Sequence, residues 1–314
     1  MVRRHPLIAY FALAYAITWP LWIAGMVAAD RVGVALSNED NYRHIADLLS
    51  GDAATGVGTA FVLYTLGQFG PLVSALVVTR AAHGPAGLRD LTARMTRWHV
   101  APHWYAIVFA LPLALAAASL AAAFVAGGAT VGPFTPAVSW AATMPFLAFM
   151  IIFTGLAEEP GWRGFALPHL QARYTAIRSS WILGIAWGVW HIPFSVYLFR
   201  DEPTVLAANL VALTVGIVGW TIVNTWIYNS TKSVLLMIVL HGWFNTVQSY
   251  LILSQPNPVA QAMYGVLPWA IAIYLSRRYG DEDLAAVPRP RWWPDTIETQ
   301  HPGGGASGDA AVSA

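Results

Sequence analysis

Two adjacent glutamates and two histidines are the side chains of this 314-residue sequence best suited to chemistry. Glu158 and Glu159 are the only acidic residues within an apolar segment, and of nine histidines only His191 and His241 lie well inside one. An ionisable group at membrane depth is costly unless it is paired, so it is kept for a reason. These four residues are therefore predicted to be functional.

Helical spacing organises them, because residues four apart share a face. Glu159 is predicted to pair with Arg163, which leaves Glu158, about 100° further round the helix, free for chemistry. His241 and Asn245 are also four apart and face the same way.

The set favours peptide hydrolysis by activated water. Glu158 with His191 would take a proton from water, directly or through a bound metal. His241 and Asn245 would donate hydrogen bonds to the oxyanion of the attacked carbonyl. Cysteine is absent, which excludes thiol nucleophiles and thiolate metal ligands.

Other uses of the same residues remain open. Glu159 and Arg163 would also serve as an ion pair that locks two helices, and Asn245 as a contact between helices. A proton-coupled transporter would use the buried Glu and His as a relay, although no internal repeat favours it. A non-catalytic immunity or scaffold protein would use the cluster for packing alone.

The elements that position these residues are predicted to be membrane helices. The chain is 57% hydrophobic and 11% charged, where soluble domains carry about 25% charged residues. A template of about 20 apolar residues per span finds eight segments. They lie near residues 7–29, 58–79, 104–127, 138–160, 181–199, 205–228, 233–254 and 258–276. A single transmembrane domain, 1–280, and a polar, disordered tail, 281–314, are expected.

The distribution of Lys and Arg residues predicts the orientation of the chain in the membrane. With the N-terminus inside, 14 of the 17 Lys and Arg residues fall on the inner side, which indicates a multi-pass protein of the cell membrane with both termini cytoplasmic. The polar connection 30–57 is then an external loop without a catalytic role. The net charge of +1 without a basic run excludes nucleic acid as a partner. Most of the 15 Trp are expected at the membrane interfaces or facing lipid.

Residues that form one site must lie at similar depths in the membrane, which tests whether this site can assemble. His191 and His241 lie about 12 to 15 Å from the cytoplasmic ends of their helices. Glu158 reaches that depth only if the fourth helix continues to about residue 168. Pro160 and Gly161 predict a kink in this helix.

Three motifs occur in order on separate apolar segments: Glu158-Glu159-x-x-x-Arg163, Trp187-x-x-x-His191 and His241-x-x-x-Asn245. Together they resemble the CPBP family, which comprises the CAAX prenyl endopeptidases of the Ras-converting type and the bacterial Abi or bacteriocin-processing proteins. The resemblance covers about residues 60–250. Trp187 departs from the usual Phe and is expected to fill the same packing role.

The resemblance implies an all-α bundle of eight transmembrane helices with a catalytic cavity that faces the cytoplasm. It implies that Glu158 and His191 activate water. It gives His241 and Asn245 to the oxyanion site, with Glu159 and Arg163 in support. Zinc is the candidate cofactor if the reaction uses a metal, with Glu158, His191 and His241 as its ligands. The implied partners are membrane lipids and a peptide or membrane-protein substrate.

Overall fold

The computed structural model of the protein describes residues 2–52, 56–127, 133–255 and 257–286, which form helices without any strand. We label the helices in chain order: α1 (Pro6–Val32), α2 (Asn38–Ser50), α3 (Val57–Gln68), α4 (Gly70–Met95), α5 (Pro102–Gly127), α6 (Trp140–Gln171), α7 (Ala176–Trp190), α8 (Ile192–Phe199), α9 (Pro203–Thr231), α10 (Val234–Leu253) and α11 (Pro258–Tyr279).

The predicted bundle of membrane helices is confirmed. Six helices are long and apolar enough to cross a bilayer, and the number rises to eight if two bent pairs each count as one span. The pairs are α3 with α4, bent by 45°, and α7 with α8, bent by 43°. The second bend lies at His191, two residues before Pro193, which cannot donate a backbone hydrogen bond.

Helix α6 carries the two glutamates and continues to Gln171, past the residue 168 that the depth argument requires. It begins with a 3₁₀ turn and continues as α-helix to Met150, and π-helical turns at Ile151–Leu156 and Trp162–Ala166 then flank the segment Ala157–Gly161. Pro160 cannot donate the helical hydrogen bond to the carbonyl of Leu156, so the local ladder has to adjust. The irregular backbone that Pro160 and Gly161 predicted therefore surrounds the two glutamates.

Glycines let α6 and α10 cross closely. A Cβ atom on Gly155 would lie 2.2 Å from the carbonyl oxygen of Ile238, and one on Gly242 would lie 2.7 Å from the backbone of Ile151. No side chain fits at either contact, because real Cβ atoms do not approach backbone that closely. The crossing brings the glutamates of α6 next to His241 of α10.

The chain that follows α11 returns to the bundle. The backbone N–H groups of Ala176 and Ile177 donate to the carbonyls of Glu282 and Asp281, and Leu284 is fully buried. Of the tail that was expected to be disordered, residues 281–286 thus pack on the helices, and residues 287–314 lie outside the described part of the chain.

Candidate active site

A cavity of about 260 Å³ lies inside the bundle and contains most of the predicted site. Glu158, His191, His241 and Asn245 all line it. Its remaining walls are largely aromatic and aliphatic, with Asn38, Gln68, Thr154 and Gln248 as further polar members. Asn38 comes from α2, so the connection 30–57, which was expected to have no catalytic role, contributes to the cavity wall.

Glu158 is held by two indole groups. Its Oε2 atom accepts hydrogen bonds from Nε1 of Trp162 at 3.1 Å and from Nε1 of Trp187 at 2.7 Å. Trp162 lies four residues further along α6, and Trp187 lies on α7. One carboxylate oxygen is thereby fixed, while the side chain as a whole remains exposed to the cavity.

Glu159 is the buried neighbour and lies between two partners. Its Oε1 atom accepts a hydrogen bond from Nη1 of Arg163 at 2.8 Å and lies 2.8 Å from Nδ1 of His241. The side chains of Glu159 and Arg163 are 1% and 0% exposed. The predicted pairing of these two residues is present, and it extends to His241 on another helix.

Arg163 reaches two more helices. With the Asn224 amide turned so that its oxygen faces the guanidinium, that oxygen accepts from Nη2 of Arg163 at 2.9 Å and from Nε1 of Trp220 at 3.2 Å. The guanidinium carbon also lies 4.4 Å from the ring centroid of Trp187, a cation–π distance. Arg163 therefore holds α6, α7 and α9 together beneath the cavity.

Both histidines have one ring nitrogen engaged. Nδ1 of His191 lies 2.8 Å from the carbonyl oxygen of Trp187. A carbonyl only accepts, so this nitrogen carries the proton in the neutral ring and Nε2 has the lone pair. The same argument applies to Nδ1 of His241, which faces the carboxylate of Glu159. In each ring Nε2 is the nitrogen left for a substrate or water.

Asn245 lies one turn from His241 on α10 and lines the same cavity. Within the described ranges, no protein group hydrogen-bonds to its side-chain amide. All six predicted residues therefore belong to one site, four in the cavity wall and Glu159 with Arg163 directly behind it.

Sequence reasoning missed the indole donors and the amide that complete the site. Trp187 was expected only to pack, yet it also donates to Glu158, which a phenylalanine would not do. Trp162 and Asn224 were not singled out. Trp162 could have been found because it lies four residues after Glu158, whereas Asn224 is distant in the sequence and gave no signal.

The described residues do not make a standard zinc site. No group of three His, Asp or Glu side chains in the described ranges is arranged to hold a metal ion, whereas a catalytic zinc typically has three protein ligands. His191 and His241 each have the fixed Nδ1 of a metal-binding histidine. Glu158, the third predicted ligand, is instead engaged by indole N–H groups.

The fold and this cluster define a class: a multi-pass membrane protein with a carboxylate, two imidazoles and an amide in an internal cavity. Residues 140–247 match the family model described as type II CAAX prenyl endopeptidase Rce1-like. The stretch contains all six predicted site residues. A curated relative, CAAX prenyl protease 2 of Methanococcus maripaludis, is 28% identical over 123 residues, which are 38% of this chain and 45% of the relative. The chain thus spans about half the length of the curated relative that it matches.

The family model and the curated relative both support the resemblance to CAAX proteases that the motifs predicted. These matches favour a protease over the transporter and scaffold alternatives. Both matches are named for CAAX proteases, and the stretch that the family model matches carries the four site residues of the cavity wall.

Proposed function

We propose that the protein is an intramembrane endopeptidase that hydrolyses a peptide bond with water activated by Glu158. The observation that carries the proposal is the placement of Glu158 in the cavity wall with His191 and His241, while its neighbour Glu159 is occupied by Arg163. In this proposal the carboxylate of Glu158 is available for chemistry, and that of Glu159 has a structural role.

In the first step, water attacks the scissile carbonyl carbon and gives a proton to Glu158. The indole N–H groups on Oε2 orient the carboxylate so that Oε1 receives this proton. His191 presents the lone pair of Nε2 to the same water and helps to align it. No nucleophilic side chain is needed, because the hydroxide oxygen forms the new C–O bond.

In the second step, the oxyanion collapses and the C–N bond breaks. Glu158 returns its proton to the departing nitrogen, so that the products are a carboxylic acid and an amine. His241 and the Asn245 amide donate hydrogen bonds to the oxyanion while it exists. For this, His241 must carry a proton on Nε2 as well, and the carboxylate of Glu159 on Nδ1 stabilises that imidazolium.

The substrate is a peptide or a membrane-protein segment, bound along the apolar walls of the cavity. The protein resides in the cell membrane with both termini in the cytoplasm, because the eight spans predicted from the sequence place 14 of the 17 Lys and Arg residues on the inner side. Zinc stays a prediction. If it is bound, Glu158, His191 and His241 would hold it, and it would supply Lewis acidity at the attacked carbonyl.

The test is cleavage of a peptide library by the detergent-purified protein beside Glu158→Gln and His191→Ala. The library includes pairs of peptides with and without a prenyl group, which reports whether the lipid is required. Loss of cleavage in both variants, with folding retained, supports the proposal. Cleavage by Glu158→Gln at the wild-type rate would refute it.

The same samples report metal content, with His241→Ala added. Nε2 of His83 lies 3.1 Å from Nε2 of His169 outside the site, and such a pair can hold adventitious zinc. A His83→Ala control therefore separates that metal from any metal in the cavity. Stoichiometric zinc that is lost in the site variants but kept in the control supports the metal prediction, and its absence from active wild type refutes it.

A further inference from the structure

Arg94 is a second arginine that is buried beside the part of α6 that follows the glutamates. It belongs to α4, which changes direction at Gly84, where φ is +68°, and then continues through residues 85–95. This second part of α4 packs closely on α6, because a Cβ atom on Gly164 would lie 2.7 Å from Cδ1 of Leu91. Arg94 follows Leu91 by three residues and is 8% exposed. A cation from α4 is thus inserted next to the helix that carries the glutamates.

All three nitrogen atoms of the Arg94 guanidinium are engaged by acceptors of the protein. Nε and Nη2 donate to Oδ2 of Asp90 at 3.0 and 2.8 Å. Nη1 donates to the backbone carbonyl of Gly164 at 2.7 Å and to the hydroxyl of Tyr228, on α9, at 2.8 Å. Because Asp90 neutralises the charge and each nitrogen has an acceptor, these contacts indicate a role in positioning α6 rather than in binding a ligand.

The carbonyl of Gly164 needs such a donor because of a proline. In a regular α-helix it would accept from the N–H group four residues later, but that residue is Pro168, which has no N–H. Both residues are buried, and a buried carbonyl without a donor is costly. The guanidinium of Arg94 therefore takes the place of the missing N–H. Its hydrogen bond falls within the π-helical turn Trp162–Ala166.

The same π-helical turn contains Arg163, which supports the candidate active site. Arg163 contacts the amide of Asn224 on α9, and Tyr228 lies one helical turn further along α9. Two arginines therefore connect α6 to α9 at successive turns, one from within α6 and one from α4. If Gly164 were released, this turn would be free to shift, and the guanidinium that pairs with Glu159 would shift with it.

We propose that Arg94 is a positioning residue for the hydrolysis. In place of the N–H group that Pro168 lacks, it holds Gly164, and it thereby keeps Arg163 and Glu158 aligned with the scissile carbonyl. The inference rests on the proposed function, because positioning is measured through the rate of cleavage. Arg94 lies outside the cavity wall, so its loss should lower kcat and leave KM nearly unchanged.

The test compares Arg94→Met with Tyr228→Phe, using kcat and KM on a peptide that the purified enzyme cleaves and the free energy of unfolding in micelles. Arg94→Met removes the donor to Gly164, and we expect kcat to fall about 10- to 100-fold with little change in KM, as when a catalytic group is displaced by about 1 Å. Tyr228→Phe removes the other hydrogen bond of Nη1 and keeps the one to Gly164. This control should lower stability and leave kcat close to the wild-type value.

A rescue experiment separates positioning from a general loss of packing. Pro168→Ala supplies the N–H group that the helix lacks at this position. Combined with Arg94→Met, it should restore kcat to within about threefold of the value for Pro168→Ala alone, whereas a general packing defect would not be repaired in this way. The double variant also covers the case in which Arg94→Met alone does not fold, since Pro168→Ala should then restore folding together with kcat.

Three results would overturn the inference and leave the proposed function intact, provided that the wild type cleaves and Glu158→Gln does not. The first is an unchanged kcat in folded Arg94→Met, and the second is an equal fall in kcat in Arg94→Met and Tyr228→Phe. The third is the absence of rescue by Pro168→Ala. Absence of cleavage by the wild type would overturn the proposed function and this inference together.

Discussion

Replacing each of the two adjacent glutamates with glutamine should separate chemistry from folding. Within the part of the chain that the structure describes, Oε2 of Glu158 accepts from indole N–H groups alone, and the amide oxygen of a glutamine accepts the same bonds. Oε1 of Glu159 instead neutralises Arg163, which is 0% exposed. Glu158→Gln therefore keeps the hydrogen bonds of the site, whereas Glu159→Gln leaves a buried guanidinium without its counter-charge.

The two variants should therefore differ in how much stability and how much activity they lose. Breaking a fully buried ion pair by removing one partner costs about 3 to 5 kcal/mol, and exposure near zero leaves no solvent screening to reduce it. Exchanging the carboxylate of Glu158 for an amide that accepts the same indole hydrogen bonds should change stability by about 1 kcal/mol. Loss of the general base should lower kcat/KM by about 10²- to 10⁴-fold.

The assay is the free energy of unfolding in mixed micelles, measured beside cleavage on the same preparations. We expect Glu159→Gln to lose about 3 to 5 kcal/mol of stability and Glu158→Gln to lose activity with nearly unchanged stability. The double variant Glu159→Gln with Arg163→Met should regain much of the loss, because neither charge remains. Equal destabilisation by the two single variants would refute this division of roles.

Further predictions concern an indole donor and a helix crossing. Trp187→Phe restores the usual family residue but removes a hydrogen bond to Glu158 worth about 1.5 to 3 kcal/mol. We therefore expect kcat/KM to fall about 10- to 100-fold with little change in KM. Unchanged kcat/KM would mean that this hydrogen bond does not contribute to catalysis. Gly155→Ala places a methyl group 2.2 Å from the carbonyl of Ile238 and should destabilise the protein by about 1 to 3 kcal/mol in the same micelles. Gly265→Ala is its control, since a Cβ there meets nothing within 4 Å; equal losses in both would contradict the crossing argument.

The site residues could be found from sequence because the membrane makes charge rare. A soluble chain of this length carries dozens of surface carboxylates, but here only Glu158 and Glu159 interrupt an apolar segment. Spacing of four residues then predicted the pairing of Glu159 with Arg163. The helix bundle followed from apolar length alone, since a span needs about 20 such residues.

The indole contacts could not be predicted, for a physical reason. Tryptophan is expected at membrane interfaces in any chain of this class, so 15 Trp gave no sign of which would turn inward. Trp162 and Trp190 are among the largest fully buried side chains. Their positions depend on how helices distant in sequence cross, and the crossings depend on glycines such as Gly155 whose partners lie on another helix.

Arg163 explains why the cluster tolerates its own burial. Its guanidinium pairs with Glu159, reaches Asn224 of α9 and stacks on Trp187 of α7, while Glu159 also contacts His241 of α10. One cation thus connects the helices that present the proposed base, Glu158, and the proposed oxyanion donor, His241. Trp187 in turn donates a hydrogen bond to Glu158. A shift of Arg163 would therefore displace Glu158 and His241 together. We therefore propose that the second glutamate of the motif fixes the distance between Glu158 and His241, a role for which a buried charge is suited because it strongly favours one arrangement of its partners.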